Sequence, residues 1–383
     1  MKNPGADILF YSDTLSSFDY GAGHPFKPAR AKYFYELLNR FSLINEPGQM
    51  VLAPRKIDEE LLLSFHTPEY IELLKRCDRG EYDLDMLRAG IGTGDNPVIR
   101  GMFEYSLLAS GATHQGAMML LENEARFVFN PHGGFHHAGM DTAEGFCYIN
   151  DIAIAITSLL SHGKKVAYVD LDAHHGNGVQ DAFYSDRRAL TISLHETGKS
   201  LYPWTGFENE TGTGEGEGFN VNLPFSPGTD DETYLDSFHR IVPPLITAFA
   251  PDVIFIEVGG DAHMDDPLTH MNLTSAAYKD SLGALKELCP RIIATGGGGY
   301  NVHKTAALWA LAWATLCGIK PVDAFAGLVG GMMYGPEAQM GTLDDPPYSA
   351  AAADKKECRA DAERVAEFIE KNIFPLHGIR AAS

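Results

Sequence analysis

Short apolar runs alternate with longer stretches of helical periodicity along most of the chain. The runs at Ile8–Tyr11, Arg126–Asn130, Lys165–Asp170, Ala189–Leu194, Asp252–Val258 and Arg291–Thr295 predict strands. Several of them, such as VAYVD, VIFIEV and RIIAT, lack the polar alternation of a half-exposed strand. Such runs suit strands covered on both faces, as in a parallel sheet. Helical patterns lie between them at Asp58–Arg76, Met102–Glu122, Asn150–His162, Asp231–Ala248, Thr274–Leu288 and Val302–Cys317. The βαβα alternation predicts an α/β fold, an open parallel sheet with helices on both faces. No Pro- or Ser-rich linker divides the chain, so residues 1–383 read as a single domain. Residues 196–230 are rich in Gly, Pro and Glu and predict long loops; residues 318–354 predict irregular structure. Asp354–Asn372 predicts an amphipathic packing helix.

Composition narrows the function classes. Of 383 residues, 45% are apolar and 21% charged, which excludes a largely disordered chain. Thirty Lys and Arg against 51 Asp and Glu give a formal net charge of −21. That balance argues against a nucleic-acid or anionic-membrane binder and favours cations or basic peptides as partners. The longest apolar stretch, Ala306–Ile319, has 14 residues. A bilayer span needs about 20, so this stretch predicts a buried core helix. Met1–Phe10 carries no signal-peptide pattern. The cysteines, Cys77, Cys147, Cys289, Cys317 and Cys358, are scattered without CxxC spacing, as expected of a reduced cytoplasmic protein.

The candidate chemistry gathers where strands end. The strand at 126–130 runs into PHGGFHHAGMD, that at 165–170 into DLDAHHGNG, that at 252–258 into GGDAHMDDP and that at 291–295 into GGGGYN. Ligands of open α/β sheets bind outside the carboxyl ends of the strands. His136, His137, Asp170, Asp172, His174, Asp261 and Tyr300 are therefore expected to converge. Asp172 and His174, two apart at a strand end, point to one side and suit a metal with mixed O and N ligands; Asp261 can add a third. Such a set leaves positions open for water and substrate, as in a catalytic site. The alternative for this segment is an Asp–His ion-pair network capping the sheet. The adjacent His136 and His137 suit flanking an activated water better than sharing one metal. Asp170 and Asn177 are candidates to orient them. A His held by a carboxylate tends toward imidazolium, whereas one held by the neutral amide of Asn177 can act as base. Tyr300, after Gly296–Gly299, can donate to an oxyanion. The glycines lack the Gly-Lys-Ser/Thr ending of a phosphate loop.

These motifs resemble the zinc-dependent deacetylase family: histone deacetylases, bacterial deacetylase-like and acetoin-utilisation proteins, and acetylpolyamine amidohydrolases. The resemblance runs from about residue 11 to 317. It is carried by HPFKPAR, FHTPEYI, GTGDNP, GGFHHAGMDTAEGFCYIND, YVDLDAHHGNGVQDAFY, SLH, GGDAHMDDPL and GGGGYN. GGFHHA and GFCYIND look closest to the class I and bacterial branch, whereas Asn177 and GGDAHMDDPL are more like class II. The resemblance implies one catalytic zinc (Zn2+) on Asp172, His174 and Asp261. It implies His136 and His137 as the acid/base pair, backed by Asp170 and Asn177, with Tyr300 polarising the amide carbonyl. Gly145 and Phe146 on one side and Tyr202 on the other would line an acyl-lysine tunnel, where the family often has Phe at the Tyr202 position. Asp95 matches the rim carboxylate that holds the substrate backbone, Leu268 a tunnel-lining position and Arg30 an arginine near the acetate-release channel. Asp170, Ser193 and nearby main-chain groups would hold a structural potassium (K+).

The implied activity is removal of acetyl or related acyl groups from lysine in proteins or peptides. Acetylpolyamine hydrolysis is one rival. The polyamine branch of the eukaryotic enzymes carries a gatekeeping Glu where Leu268 stands. A two-manganese ureohydrolase site would need more carboxylates than DAHHGN offers. A silent acyl-lysine-binding module would be expected to have lost a ligand or the Tyr, and none is missing.

Overall fold

The computed structural model describes residues 5–321 and 342–380. Its strands are β1 (Ala6–Phe10), β2 (Gln49–Leu52), β3 (Ala125–Asn130), β4 (Val166–Asp170), β5 (Ala189–Glu196), β6 (Asn220–Phe225), β7 (Val253–Glu257) and β8 (Ile292–Thr295). They form one eight-stranded sheet in the order β2-β1-β3-β8-β7-β4-β5-β6. Every pairing is parallel. The unbroken apolar runs are explained by burial on both faces. In β4, Val166 and Tyr168 join the core cluster containing Ile152 and Ile156. Its Ala167 and Val169 join the opposite cluster, with Leu245, Trp309 and Trp313. The two-residue side-chain period of a strand makes that division.

Ala306–Ile319 falls largely within the helix Val302–Cys317, whose two tryptophans are fully buried. Their indole N–H groups donate to the Val258 carbonyl at 2.8 Å and the Leu43 carbonyl at 2.7 Å. Among the described residues no helix is long and apolar enough to cross a membrane.

Three expectations change. Residues 196–230 are not all loop, because β6 lies inside them. Its polar Asn220 and Asn222 are buried, and both donate to Gln180 Oε1, at 2.6 and 2.8 Å. Its Pro224 is tolerated because β6 is an edge strand. The expected helix Asp58–Arg76 is broken into Glu59–Leu62 and Pro68–Asp78. Pro68 cannot continue a helix but opens one well, and the Thr67 side chain caps it by accepting from the Tyr70 amide. The helices Arg30–Arg40 and Asn177–Phe183 were not anticipated. The terminal helix runs Ala352–Asn372. Of the stretch expected to be irregular, residues 322–341 lie outside the described residues, and 342–351 form neither helix nor strand.

β3, β8, β7 and β4 are consecutive neighbours at the centre of the sheet. The four motif-bearing segments therefore leave adjacent strand ends.

Candidate active site

Asp172 and His174 follow β4, and Asp261 follows β7. One donor atom from each lies within 4.8 Å of the others, and all three residues are buried. His174 Nδ1 is 2.9 Å from Asp261 Oδ2 and 3.1 Å from Asp172 Oδ1. Backbone amides orient the carboxylates: Gly298 and His174 donate to Asp172 at 2.6 and 2.8 Å, and Ala173 donates to Asp261 at 2.9 Å. A side chain at position 298 is impossible without movement, since a Cβ there would stand 2.0 Å from Asp261 Oδ2. Burial, reinforced by Asp172, pushes the Asp261 carboxyl up to about 7. Burial also opposes ionisation of Asp172, yet the charges of His136 and His174 hold it well below the carboxylate range. His174, despite burial, is raised to about 10 by its hydrogen bonds to both carboxylates. Two buried carboxylates thus draw positive charge to His174 Nδ1. Two oxygens and one imidazole nitrogen, with no thiolate, fit a divalent ion such as zinc.

His136, Asp172 and Glu257 form a second group of donors at the same spacing. Sequence reasoning missed Glu257, although an acid inside the apolar run VIFIEV was a signal. Burial holds its carboxyl well above its ordinary value. Thr295 Oγ donates to its Oε2, and its Oε1 has no partner among the described residues.

The two adjacent imidazoles leave β3 through Gly133-Gly134. The Gly134 and Phe135 amides are held by the buried Asp151 carboxylate, with the Phe135 bond at 2.9 Å. His136 Nδ1 is 2.9 Å from Asp170 Oδ2, and His137 Nδ1 is 2.7 Å from Asn177 Oδ1. The two Nε2 atoms lie 3.1 Å apart. Burial alone would lower His136, but Asp170 and Asp172 raise it to about 10. His137 is pushed well down, first by burial and then by the charges of His136 and His174. One ring therefore favours the charged form and the other the neutral form.

Tyr300 packs edge-on to His174, with ring centroids 6.1 Å apart. Burial, then Asp261, raises its phenol well above the usual value, so the hydroxyl keeps its proton. Asp266, another residue not singled out from sequence, accepts from the Tyr300 amide at 2.7 Å. Arg30 is buried between the Phe26 and Trp309 rings, 4.5 and 4.9 Å from their centroids. It donates to the Gly299 carbonyl at 2.8 Å and also to the Gly297 carbonyl. It thereby braces the glycine tract behind Tyr300.

Phe146 meets Tyr300 edge-on at 5.8 Å, and Tyr202 meets His137 at 5.2 Å. Gly145 and Phe146 both have positive φ, 51° and 71°. This is the left-handed region, uncommon for a phenylalanine. Leu268 is 38% exposed, and its amide donates to Asp266. Asp95 is exposed; its carbonyl is 3.0 Å from His24 Nε2, and the His24 ring meets Phe146 at 4.6 Å. Ser193 is the register partner of Asp170 across β4 and β5. Its Oγ lies 2.8 Å from His195 Nδ1.

A histone deacetylase domain model matches residues 24–316. The acetoin utilization protein AcuC of Bacillus subtilis is 34% identical over 322 residues, covering 82% of this chain and 83% of that protein. Human histone deacetylase 1 is 33% identical over 303 residues, covering 78% of this chain and 62% of that protein, less than two thirds of its length. The crystal structure of an HDAC homolog from Aquifex aeolicus superposes with a TM-score of 0.82 at 30% identity, over 94% of this chain and 100% of that one. An HDAC homolog complexed with SAHA superposes with the same TM-score at 31% identity, again over 94% and 100% of the two chains. With the domain match spanning most of the chain and the parallel sheet shared with solved homologs, the protein belongs to the histone deacetylase family of hydrolases.

Proposed function

We propose that the protein is a zinc-dependent hydrolase that removes acetyl or related acyl groups from the ε-amino group of lysine in proteins or peptides. The observation that carries this reading is the meeting of Asp172, His174 and Asp261 with the His136–His137 pair and Tyr300 at adjacent strand ends. Zinc held by Asp172, His174 and Asp261 would supply Lewis acidity toward the amide carbonyl and toward the attacking water. His137, neutral and with Nδ1 committed to Asn177, offers its Nε2 lone pair to the water proton. The water oxygen adds to the carbonyl carbon. The Tyr300 hydroxyl donates to the oxyanion that forms. As the C–N bond breaks, an imidazolium of the pair returns a proton to the leaving nitrogen. His136 favours the charged form beside Asp170. The products are a free lysine amine and a carboxylic acid.

Phe146 and Tyr202 would enclose the alkyl stem of the lysine and keep water from it. Asp95, exposed at the rim, would accept from the substrate backbone. The apolar Leu268 favours a neutral acylated lysine in a peptide over a polyamine with a second ammonium. Asp170 and Ser193, side by side on neighbouring strands, support a structural potassium there.

The test is a panel of acetyl-, longer acyl- and lactyl-lysine peptides, with acetylspermidine alongside. Each is assayed with zinc-loaded, chelated and zinc-restored protein. The expected result is peptide deacylation that chelation abolishes and zinc restores, with acetylspermidine the poorer substrate. Inactivity on every acyl-lysine peptide would overturn the reading, and a preference for acetylspermidine would assign the polyamine reaction instead.

A further inference from the structure

Glu144 lies behind both His137 and Tyr202. Its Oε2 accepts from Asn177 Nδ2 at 3.2 Å and from the Tyr202 hydroxyl at 3.3 Å. Its Oε1 accepts from Thr142 Oγ at 3.3 Å. The backbone of Glu144 is pinned by two hydrogen bonds with Cys147, at 3.1 and 2.8 Å. These close a tight turn over Gly145 and Phe146, whose positive φ values are those of a two-residue hairpin turn. The carboxylate is thus delivered to Asn177 by the same turn that carries Phe146.

We infer that Glu144 is a positioning residue that helps fix which ring nitrogen of His137 carries the hydrogen, acting through the Asn177 amide. This rests on the reading of His137 as the base. A carboxylate accepts hydrogen bonds and does not donate them. Asn177 must then turn its NH2 group toward Glu144 and its oxygen toward His137. An amide oxygen also only accepts, so His137 Nδ1 has to be the protonated nitrogen. The lone pair is left on Nε2, 3.1 Å from His136 Nε2, where a hydrogen on His136 Nε2 would support the same tautomer. Without an acceptor at position 144, the amide is free to rotate by half a turn. Its NH2 group would then face His137 Nδ1 and favour the tautomer whose Nε2 is already protonated. That tautomer cannot take a proton from water at Nε2. The amide is ambivalent by itself, and an acceptor-only neighbour removes the ambivalence. Because Tyr202 donates to the same oxygen, one acceptor sets both the base and a wall of the tunnel.

The device needs a neighbour that only accepts, which separates the substitutions. Glu144→Met removes the acceptor, Glu144→Ala repeats the removal in case the methionine variant does not fold, and Glu144→Gln replaces it with an amide that can turn either its oxygen or its NH2 group toward Asn177. The readout is the 15N spectrum of histidine-labelled, zinc-loaded protein, with the His137 signals assigned by their loss in His137→Gln, alongside kcat and KM. Wild type is expected to show His137 protonated at Nδ1, and Glu144→Gln to lie between wild type and the variants without an acceptor. Removal of the acceptor is expected to mix the tautomers and lower kcat in proportion to the fraction of His137 whose Nε2 stays unprotonated, roughly 2- to 10-fold. The glutamine variant is expected to recover only part of that loss. An unchanged ring signal in the methionine or alanine variant overturns the inference, whether or not kcat falls. So does a glutamine variant more disturbed than they are. Full activity in His137→Gln would instead defeat the reading of His137 as base, a result separable from the tautomer measurement.

Discussion

Two buried carboxylates, Asp172 and Asp261, meet at His174 Nδ1 with backbone amides fixing their direction. Deleting one partner of such a cluster leaves an uncompensated buried charge and removes a ligand. Asp172→Ala and His174→Ala are expected to lose bound zinc and activity together, measured as metal content per chain beside turnover. Full zinc content in either variant would refute the ligand assignment. The residues named from sequence are those whose chemistry is visible in a motif, such as the two imidazoles of GGFHHA. Glu144, Asp151, Glu257 and Asp266 escaped because their importance comes from partners distant in the chain. Asp151 acts on Gly134 and Phe135 through two backbone amides, and no spacing rule announces that contact.

At the scale of elements, the site depends on β3, β8, β7 and β4 standing side by side. Each run and its polar exit were legible in the chain, because strands buried on both faces are continuously apolar. Their order was not, since crossovers bring β8 between β3 and β7 from far along the sequence. β6 was missed for a different reason: its alternating Asn residues read as loop until Gln180 satisfies them. β2 is short, and its Met50 and Val51 are exposed at the sheet edge, so the pattern there was weak. The helix Val302–Cys317 covers the sheet with Trp309 and Trp313, both fully buried. Trp313→Ala is expected to cost about 3–5 kcal/mol of stability, read from denaturant unfolding. A loss below about 1 kcal/mol, no more than an ordinary surface substitution, would contradict its place in the core.

For the whole molecule, the formal charge of −21 is not all surface charge. Asp170, Asp172, Asp261 and Glu257 are fully buried and belong to the site. The remaining excess, with Asp95 exposed, favours approach of basic segments. For a basic peptide, kcat/KM is expected to fall as ionic strength rises while kcat holds steady, because screening weakens approach and leaves the enclosed chemistry alone. A kcat/KM independent of salt would remove steering from the picture. The site itself is tested most directly by Tyr300→Phe, with zinc content and deacetylation of an acetyl-lysine peptide measured on the same preparation. A retained single zinc with turnover lowered roughly 100-fold or more is expected, the scale of a lost oxyanion donor. Wild-type turnover in that variant, or two catalytic metal ions per chain, would contradict it.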